Sequence, residues 1–130
     1  MLSMTDDLTF AEDSQKNKFA SSSFLSKRGV LLVLSSNFLG KSYIVENIKT
    51  VIGRQDDCDF VIKDPLISKL HCIVTIDEDG KFFIEDSNSR NSTIVNGKVI
   101  KKKTQIFYSD KIVVGNTILR FFHEEKLEKK

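Results

Sequence analysis

The chain of 130 residues contains no tryptophan, one proline and only two cysteines, Cys58 and Cys72. The cysteines lie in strand-like sequence and give no sign of a secreted, disulfide-bonded scaffold. No apolar run approaches the roughly 20 residues needed to cross a bilayer. The opening residues 1–7 are acidic where a signal peptide would be basic. We therefore predict a cytoplasmic protein that does not bind membranes.

The excess of positive charge is also small, with a formal net charge of +2 at pH 7. A domain that binds nucleic acid normally gathers many more lysines and arginines on one face. The densest basic run is Lys101–Lys103, which we interpret as a solvated hairpin tip, with an auxiliary anion-binding patch as the alternative. The composition therefore gives no support for a nucleic-acid partner.

Short apolar or alternating runs, separated by turn residues, fill the chain from Gly29 onward. Asp79-Gly80, Asn96-Gly97 and Gly115-Asn116 are typical of tight hairpin turns. This pattern predicts an all-β, two-sheet antiparallel sandwich over residues 29–123. Residues 1–28 are too polar to bury a core, so we expect a flexible arm there, and residues 124–130 form a short charged tail. The predicted strands are 30–34, 42–45, 50–53, 59–62, 72–76, 82–86, 94–95, 98–100, 106–108, 111–114 and 117–122.

Three polar motifs stand at the ends of these predicted strands: Gly53-Arg54, Ser68–His71 and Asn88–Thr93. An arginine offers a planar fork of donors that matches phosphate oxygens, and a serine hydroxyl adds another donor. An asparagine can both donate to and accept from a peptide main chain. These residue types favour a protein that reads phosphorylated protein over one that performs catalysis.

Taken in order, the motifs resemble a forkhead-associated (FHA) domain across approximately residues 29–123. The resemblance implies about eleven strands and loops at one end that bind phosphothreonine in a partner protein. It implies that Arg54 and Ser68 hold the phosphate and that Asn91 bonds the peptide backbone, with Lys69 and Arg90 adding contacts. The motifs that carry it are Thr50–Arg54, Cys58–Ile62, Asp64–His71, Phe83–Asp86, Asn91–Gly97 and Asp110–Ile112.

The resemblance also assigns supporting roles to Gly53, His71 and Thr93. Gly53 would free the backbone beside Arg54, and His71 would brace the Ser68 loop from beneath. One position departs from the family pattern, because Ser92 stands where the family usually has glycine. If that position needs a positive φ, serine would be strained there by about 1 kcal/mol or more.

Enzymatic and metal-binding alternatives find little support. Ser68 and His71 could form half of a hydrolase triad, but no glycine-flanked serine or orienting acid accompanies them. The set Cys58, His71, Cys72 and His123 lacks zinc-finger spacing, so we predict buried thiols and a structural histidine. We expect no enzyme activity, no metal and no cofactor.

Two further hypotheses remain open. The runner-up is a phospho-independent scaffold or oligomerisation sandwich, for which the Ser92 departure is the chief support. The other concerns the arm, where Thr5 and Thr9 lie in acidic surroundings and could become phosphorylated ligands of the chain's own pocket. An arm with no such role is the competing interpretation.

Overall fold

The computed structural model describes residues 28–124. The predicted arm, apart from Arg28, and the predicted tail, apart from Glu124, lie outside these described residues. Both segment assignments therefore stay predictions.

The described chain forms eleven strands and one 3₁₀ turn at Ser36–Phe38. The strands are β1 (Gly29–Val33), β2 (Ser42–Val45), β3 (Lys49–Gly53), β4 (Phe60–Val61), β5 (Cys72–Ile76), β6 (Phe82–Asp86), β7 (Thr93–Val95), β8 (Lys98–Val99), β9 (Thr104–Ile106), β10 (Lys111–Val114) and β11 (Thr117–His123).

The strands form a six-stranded sheet in the order β2-β1-β11-β10-β7-β8 and a five-stranded sheet in the order β4-β3-β5-β6-β9. The predicted all-β sandwich is confirmed. One neighbouring pair departs from antiparallel order, because β4 runs parallel to β3 with Ile52 opposite Phe60. A long crossover normally joins parallel strands. Here a short loop suffices because β4 has only two residues.

The core lies between the sheets, where side chains that alternate along each strand point inward. Along β11, for example, Leu119 and Phe121 are fully buried while their neighbours are half-exposed. The rings of Phe82 and Phe121 meet with centroids 4.9 Å apart, joining the two sheets. Each such apolar side chain contributes about 1.5–3 kcal/mol when it leaves water. The period of two in the sequence therefore sets which face of each strand is buried.

The three predicted hairpin turns are all present. Asn96 and Gly97 both have positive φ, of 51° and 85°, as a two-residue turn of type I′ requires. One strand prediction was wrong: β9 ends at Ile106, whereas the sequence pattern suggested a strand over 106–108. Asp110 causes the difference, since its carboxylate accepts the Phe107 N–H at 2.7 Å and closes a turn there. Phe107 and Tyr108 are consequently exposed in that turn.

Both cysteines are buried and unpaired, as predicted. Cys72 is fully enclosed, and its loss of solvation raises the pKa of its thiol to about 12. Loss of solvation also raises the pKa of Cys58. Both thiols are therefore unreactive at neutral pH. Across residues 28–124 there is no helix long and apolar enough to span a membrane.

Candidate functional site

The three polar motifs meet at one end of the sandwich, although they are far apart in sequence. Arg54 follows β3, Ser68 lies in the β4–β5 loop, and Arg90 and Asn91 lie in the β6–β7 loop. The Arg90 N–H donates to Ser68 Oγ at 2.9 Å, and Asn91 Nδ2 donates to the Leu66 carbonyl at 2.8 Å. These two bonds join the loops directly. The structure thus brings the predicted ligand-binding residues together.

Between the loops lies a cleft of about 330 Å³. Three of its side chains, Arg54, Lys69 and Arg90, are cationic, and none is a carboxylate. Lys69, Arg90 and Asn91 are exposed, whereas Arg54 and Ser68 are half-buried. An open cleft with this charge suits an anionic group on an extended chain. The lining residues are Arg54, Pro65–Leu70, Arg90 and Asn91.

Arg54 is held so that part of its guanidinium remains available. Its Nε donates to the Ile67 carbonyl at 2.9 Å, which fixes the plane of the group. The two terminal amino groups of the fork are left to bind oxygens in the cleft. Ser68 Oγ accepts the Arg90 N–H, so its own hydroxyl proton is left to be donated. Both residues therefore keep side-chain donors available to an anionic group in the cleft.

Gly53 allows the β3 end and the Ser68 loop to approach closely. A β-carbon at this position would lie only 2.1 Å from the Lys69 carbonyl oxygen and 2.8 Å from Cys58 Sγ. The adjacent Arg54 N–H donates to the Ser68 carbonyl at 3.1 Å. Glycine is required here because a side chain would not fit. The resemblance had implied a different reason, backbone freedom beside Arg54, but Gly53 does not have a positive φ.

His71 is completely buried beneath the cleft and bonds both loops. Its Nδ1 accepts the Ser68 N–H at 3.0 Å, so the ring proton is on Nε2, which donates to the Ser92 carbonyl at 2.8 Å. Ser92 has φ of 67°, the positive value for which glycine would be unstrained. The histidine therefore ties a main-chain group of one loop to a strained residue of the other.

The same contacts argue against a Ser–His nucleophile. His71 meets the main-chain N–H of Ser68 and not its hydroxyl, which already accepts from Arg90. A triad needs the histidine to accept the hydroxyl proton directly. In the part of the chain that is described, no group of three or more His, Cys, Asp or Glu residues could hold a metal ion.

Thr93 supports the β6–β7 loop through Asp86. The buried Thr93 hydroxyl donates to Asp86 Oδ1 at 2.7 Å, and the Ser89 N–H donates to Asp86 Oδ2 at 2.9 Å. Burial alone would raise the pKa of Asp86, but the Ser89 and Thr93 hydrogen bonds outweigh it and lower the pKa. A charged Asp86 is thus the form that this loop stabilises.

Asp64 is a supporting residue to which the sequence analysis gave no role. The residue is only 2% exposed, and its carboxylate accepts the Leu66 N–H, the Asn116 N–H and the Thr117 hydroxyl at 2.7–2.9 Å. Burial would raise its pKa, but these bonds together lower it. The sequence did contain one sign of this role, because an Asp two residues before the N–H that it accepts is typical of an Asx turn. Its link to the β10–β11 turn was invisible in the sequence.

Comparison with known proteins identifies the class. The family model for the FHA domain matches residues 50–115, about half of the chain. The chain therefore belongs to the FHA domain family.

Individual relatives agree. The E3 ubiquitin-protein ligase CHFR of zebrafish (Danio rerio) is 34% identical over 77 residues, which cover 57% of this chain and 12% of that protein. The chain thus matches only a small part of this curated relative's length. The crystal structure of the FHA domain of CT664 from Chlamydia trachomatis superposes with a TM-score of 0.70 at 26% identity, covering 75% of this chain and 99% of that one. Another solved structure, from work on phosphothreonine-dependent FHA domain interactions, has a TM-score of 0.69 at 23% identity and covers 76% and 99%.

Proposed function

We propose that this FHA domain binds a phosphothreonine-containing segment of a partner protein. Arg54 and Ser68 hold the phosphate, Asn91 bonds the main chain beside the phosphothreonine, and Lys69 and Arg90 add cationic contacts. The domain acts as a binding module and not as an enzyme. The relatives support this proposal because phosphothreonine-dependent interaction is what one solved FHA structure describes.

The observation that carries the proposal is the convergence of Arg54, Lys69 and Arg90 around Ser68 in one cleft. A phosphate carries close to two negative charges at neutral pH and three strong acceptor oxygens. Charge-assisted bonds from a fixed arginine are about twice as strong as neutral ones. A neutral threonine offers these donors one hydroxyl oxygen and no charge, so phosphorylation would switch the binding on.

Asn91 is already partly committed. Its Nδ2 donates to the Leu66 carbonyl, which leaves the side-chain oxygen to accept an N–H from the peptide. The bond also fixes the orientation of Asn91 across the cleft. In this arrangement the asparagine sets the pose of the peptide, and Arg54 supplies most of the affinity.

The test is binding of the full chain to a degenerate phosphothreonine peptide library, beside phosphoserine and unphosphorylated libraries. Arg54→Ala should cost roughly 2–5 kcal/mol of binding free energy, enough to abolish a micromolar interaction. The matched control is Arg120→Ala, which removes an arginine from β11 in the six-stranded sheet, away from the cleft. This variant should bind the phosphothreonine peptides as the wild type does. Tight binding by Arg54→Ala would refute the assignment.

The partner could be the chain itself. Thr5 and Thr9, which lie outside the described residues, have acidic neighbours, and either could be the phosphorylated ligand of this cleft. Tethering would supply an effective concentration on the millimolar scale, so even a weak site would be occupied. Mass spectrometry of native protein tests this idea. Finding both threonines unmodified in every growth state would remove its basis.

The competing function is a phospho-independent scaffold. The strained Ser92 favours it, because the family glycine would let the β6–β7 loop adopt its shape without cost. A phospho-independent scaffold predicts that added phosphate does not displace the partner and that Arg54→Ala does not change partner binding. The peptide experiment therefore separates the two functions.

The cytoplasmic location expected from the sequence stays a prediction. Imaging of the tagged protein in intact cells would test it.

A further inference from the structure

The outward face of the six-stranded sheet is unusually apolar. A sheet face that meets water normally carries polar side chains between the buried ones. Here most outward positions on the four central strands are aliphatic or aromatic, and the exceptions are Lys111 and Arg120. At the two edges, Ile44 and Val99 are 44% and 46% exposed. The half-exposed central side chains are Val30, Leu32, Ile94, Val113, Ile118 and Phe122.

The strand register arranges these side chains in two rows. In the first row Val30 lies between Ile44 and Phe122. In the second, Ile118, Val113, Ile94 and Val99 follow one another across four strands. Each row crosses several strands, so the apolar surface is continuous and not a set of isolated residues. Continuous exposed apolar surface of this kind marks interaction sites.

Between the rows lies a cationic pair. Arg120 of β11 stands directly opposite Lys111 of β10, with Leu32 on the other side of Arg120. Like charges directly opposite each other destabilise a sheet. Neither residue forms an ion pair with a carboxylate of residues 28–124, and Arg120 donates only to the Ser109 carbonyl. The two side chains therefore have N–H donors and positive charge available for an anionic group.

The outward face of the five-stranded sheet is different. Thr75 lies between Lys49 and Phe83, and Gln105 follows Phe83. Lys103 places its ammonium 5.6 Å from the centre of the Phe83 ring. Polar groups thus interrupt the apolar ones on that side, as in an ordinary solvated face. The contrast within one molecule shows that the apolar face is a local property of the six-stranded sheet.

We propose that the outward face of the six-stranded sheet docks an acidic amphipathic segment of a partner protein. Apolar side chains of that segment cover the two rows, and its carboxylates bind Arg120 and Lys111. A second copy of the chain is a poorer fit, because a two-fold contact would set one cationic pair against the other. The surface is separate from the Arg54 cleft, so the proposal does not depend on phosphothreonine binding.

The probe is a synthetic amphipathic peptide of about 20 residues with leucines on one helical face and glutamates on the other. A second peptide has lysine in place of every glutamate. Each is titrated into isotope-labelled full-length protein and followed by NMR amide shifts. The glutamate peptide should shift amides of β1, β10 and β11 and leave those around Arg54 unchanged.

Charge reversal gives the sharper result. Arg120→Glu with Lys111→Glu should weaken the glutamate peptide by about tenfold or more and allow the lysine peptide to bind. The neutral pair Arg120→Gln with Lys111→Gln should show an intermediate loss, and it keeps the test valid if charge reversal impairs folding. The controls are Lys49→Glu on the opposite sheet and Arg54→Ala in the cleft. Both should leave the affinity for the glutamate peptide unchanged.

Several results would overturn the proposal. One is the absence of shifts on this face, and another is equal binding of the two peptides, which would indicate unselective apolar contact. A protein that sediments as a dimer until Ile118→Glu dissociates it would assign the face to a second copy. Nuclear Overhauser contacts between residues 1–27 and this face, lost on addition of the peptide, would assign it to the chain's own leading segment.

Discussion

The residues at the surface of the cleft and those beneath it solve different physical problems. The rim, formed by Arg54, Ser68, Lys69, Arg90 and Asn91, is half-buried or exposed and keeps donors available. The support layer consists of the buried residues Asp64, His71 and Thr93 and the half-buried Asp86, and their polar atoms bond the loops themselves. Rim side chains also bond the loops, as Arg54 does at the Ile67 carbonyl, but they keep further donors for a ligand. Arg54→Ala should accordingly abolish phosphopeptide binding while lowering the melting temperature much less than changes in the support layer do.

Gly53 offers the harshest test of the support beneath the rim. Gly53→Ala places a methyl group 2.1 Å from the Lys69 carbonyl oxygen, and a main-chain atom cannot rotate away. We expect a loss of about 3 kcal/mol or more in the free energy of unfolding, measured by urea denaturation.

The matched control is Gly80→Ala at the β5–β6 turn. A methyl group there meets nothing within 4 Å, although the φ of 80° is unfavourable for alanine. That variant should lose only about 1 kcal/mol. Equal losses in the two variants would mean that backbone conformation, and not space beside the rim, explains the glycine at 53.

His71→Ala should separate the two sets of residues most clearly. It leaves the Ser68 N–H and the Ser92 carbonyl without their buried partner and opens a cavity. We expect a loss of about 2–4 kcal/mol in stability, with phosphopeptide binding weakened as a consequence of loop movement. Thermal unfolding and peptide binding should be measured on the same samples. Unchanged stability with lost binding would move His71 from the support layer to the rim.

Asp64 should make stability depend on acid. Its pKa in the folded state is below the ordinary value of 3.8, so its contribution is complete above that value and disappears as pH falls through the folded-state pKa. The contribution of Asp64 to the free energy of unfolding should therefore be constant down to about pH 5 and decrease below about pH 4.

Asp64→Asn tests this assignment directly. It should cost about 1–3 kcal/mol at pH 7, and its deficit relative to wild type should shrink on acidification. Asp79→Asn, at an exposed turn, is the control and should follow the wild-type profile. A deficit for Asp64→Asn that stays constant from pH 7 to pH 3 would show that its charge is not what supports the loop.

Ser92→Gly should give the smallest effect, and it is a gain. Removing the side chain at φ of 67° relieves strain while keeping the carbonyl that accepts from His71. We expect about 1 kcal/mol of added stability, reduced by the greater freedom of glycine in the unfolded chain. Phosphopeptide affinity should stay equal or improve. A fall in affinity would show that the serine side chain itself takes part in binding.

The sequence predicted most strands closely because alternation and turn chemistry act locally. Asn96-Gly97 requires no distant partner to form its turn, and β5, β6 and β10 have the predicted bounds. The error at β9 arose from Asp110, which lies after the predicted end of the strand. Its carboxylate bonds the Phe107 main chain and so competes with strand formation. The parallel β3–β4 pair was missed because no local pattern distinguishes its direction.

By itself, the sequence determined the period of two that buries one face of each strand, the glycine and asparagine turns, and the residue types that suit a phosphate. These follow from side-chain chemistry and local backbone preference. Tertiary structure alone decided that Arg54, Ser68 and Asn91 share a cleft, that Asp64 holds the β4–β5 loop to the β10–β11 turn, and that Arg120 faces Lys111. Those relations depend on strand order and register, which are set by packing across the whole sandwich.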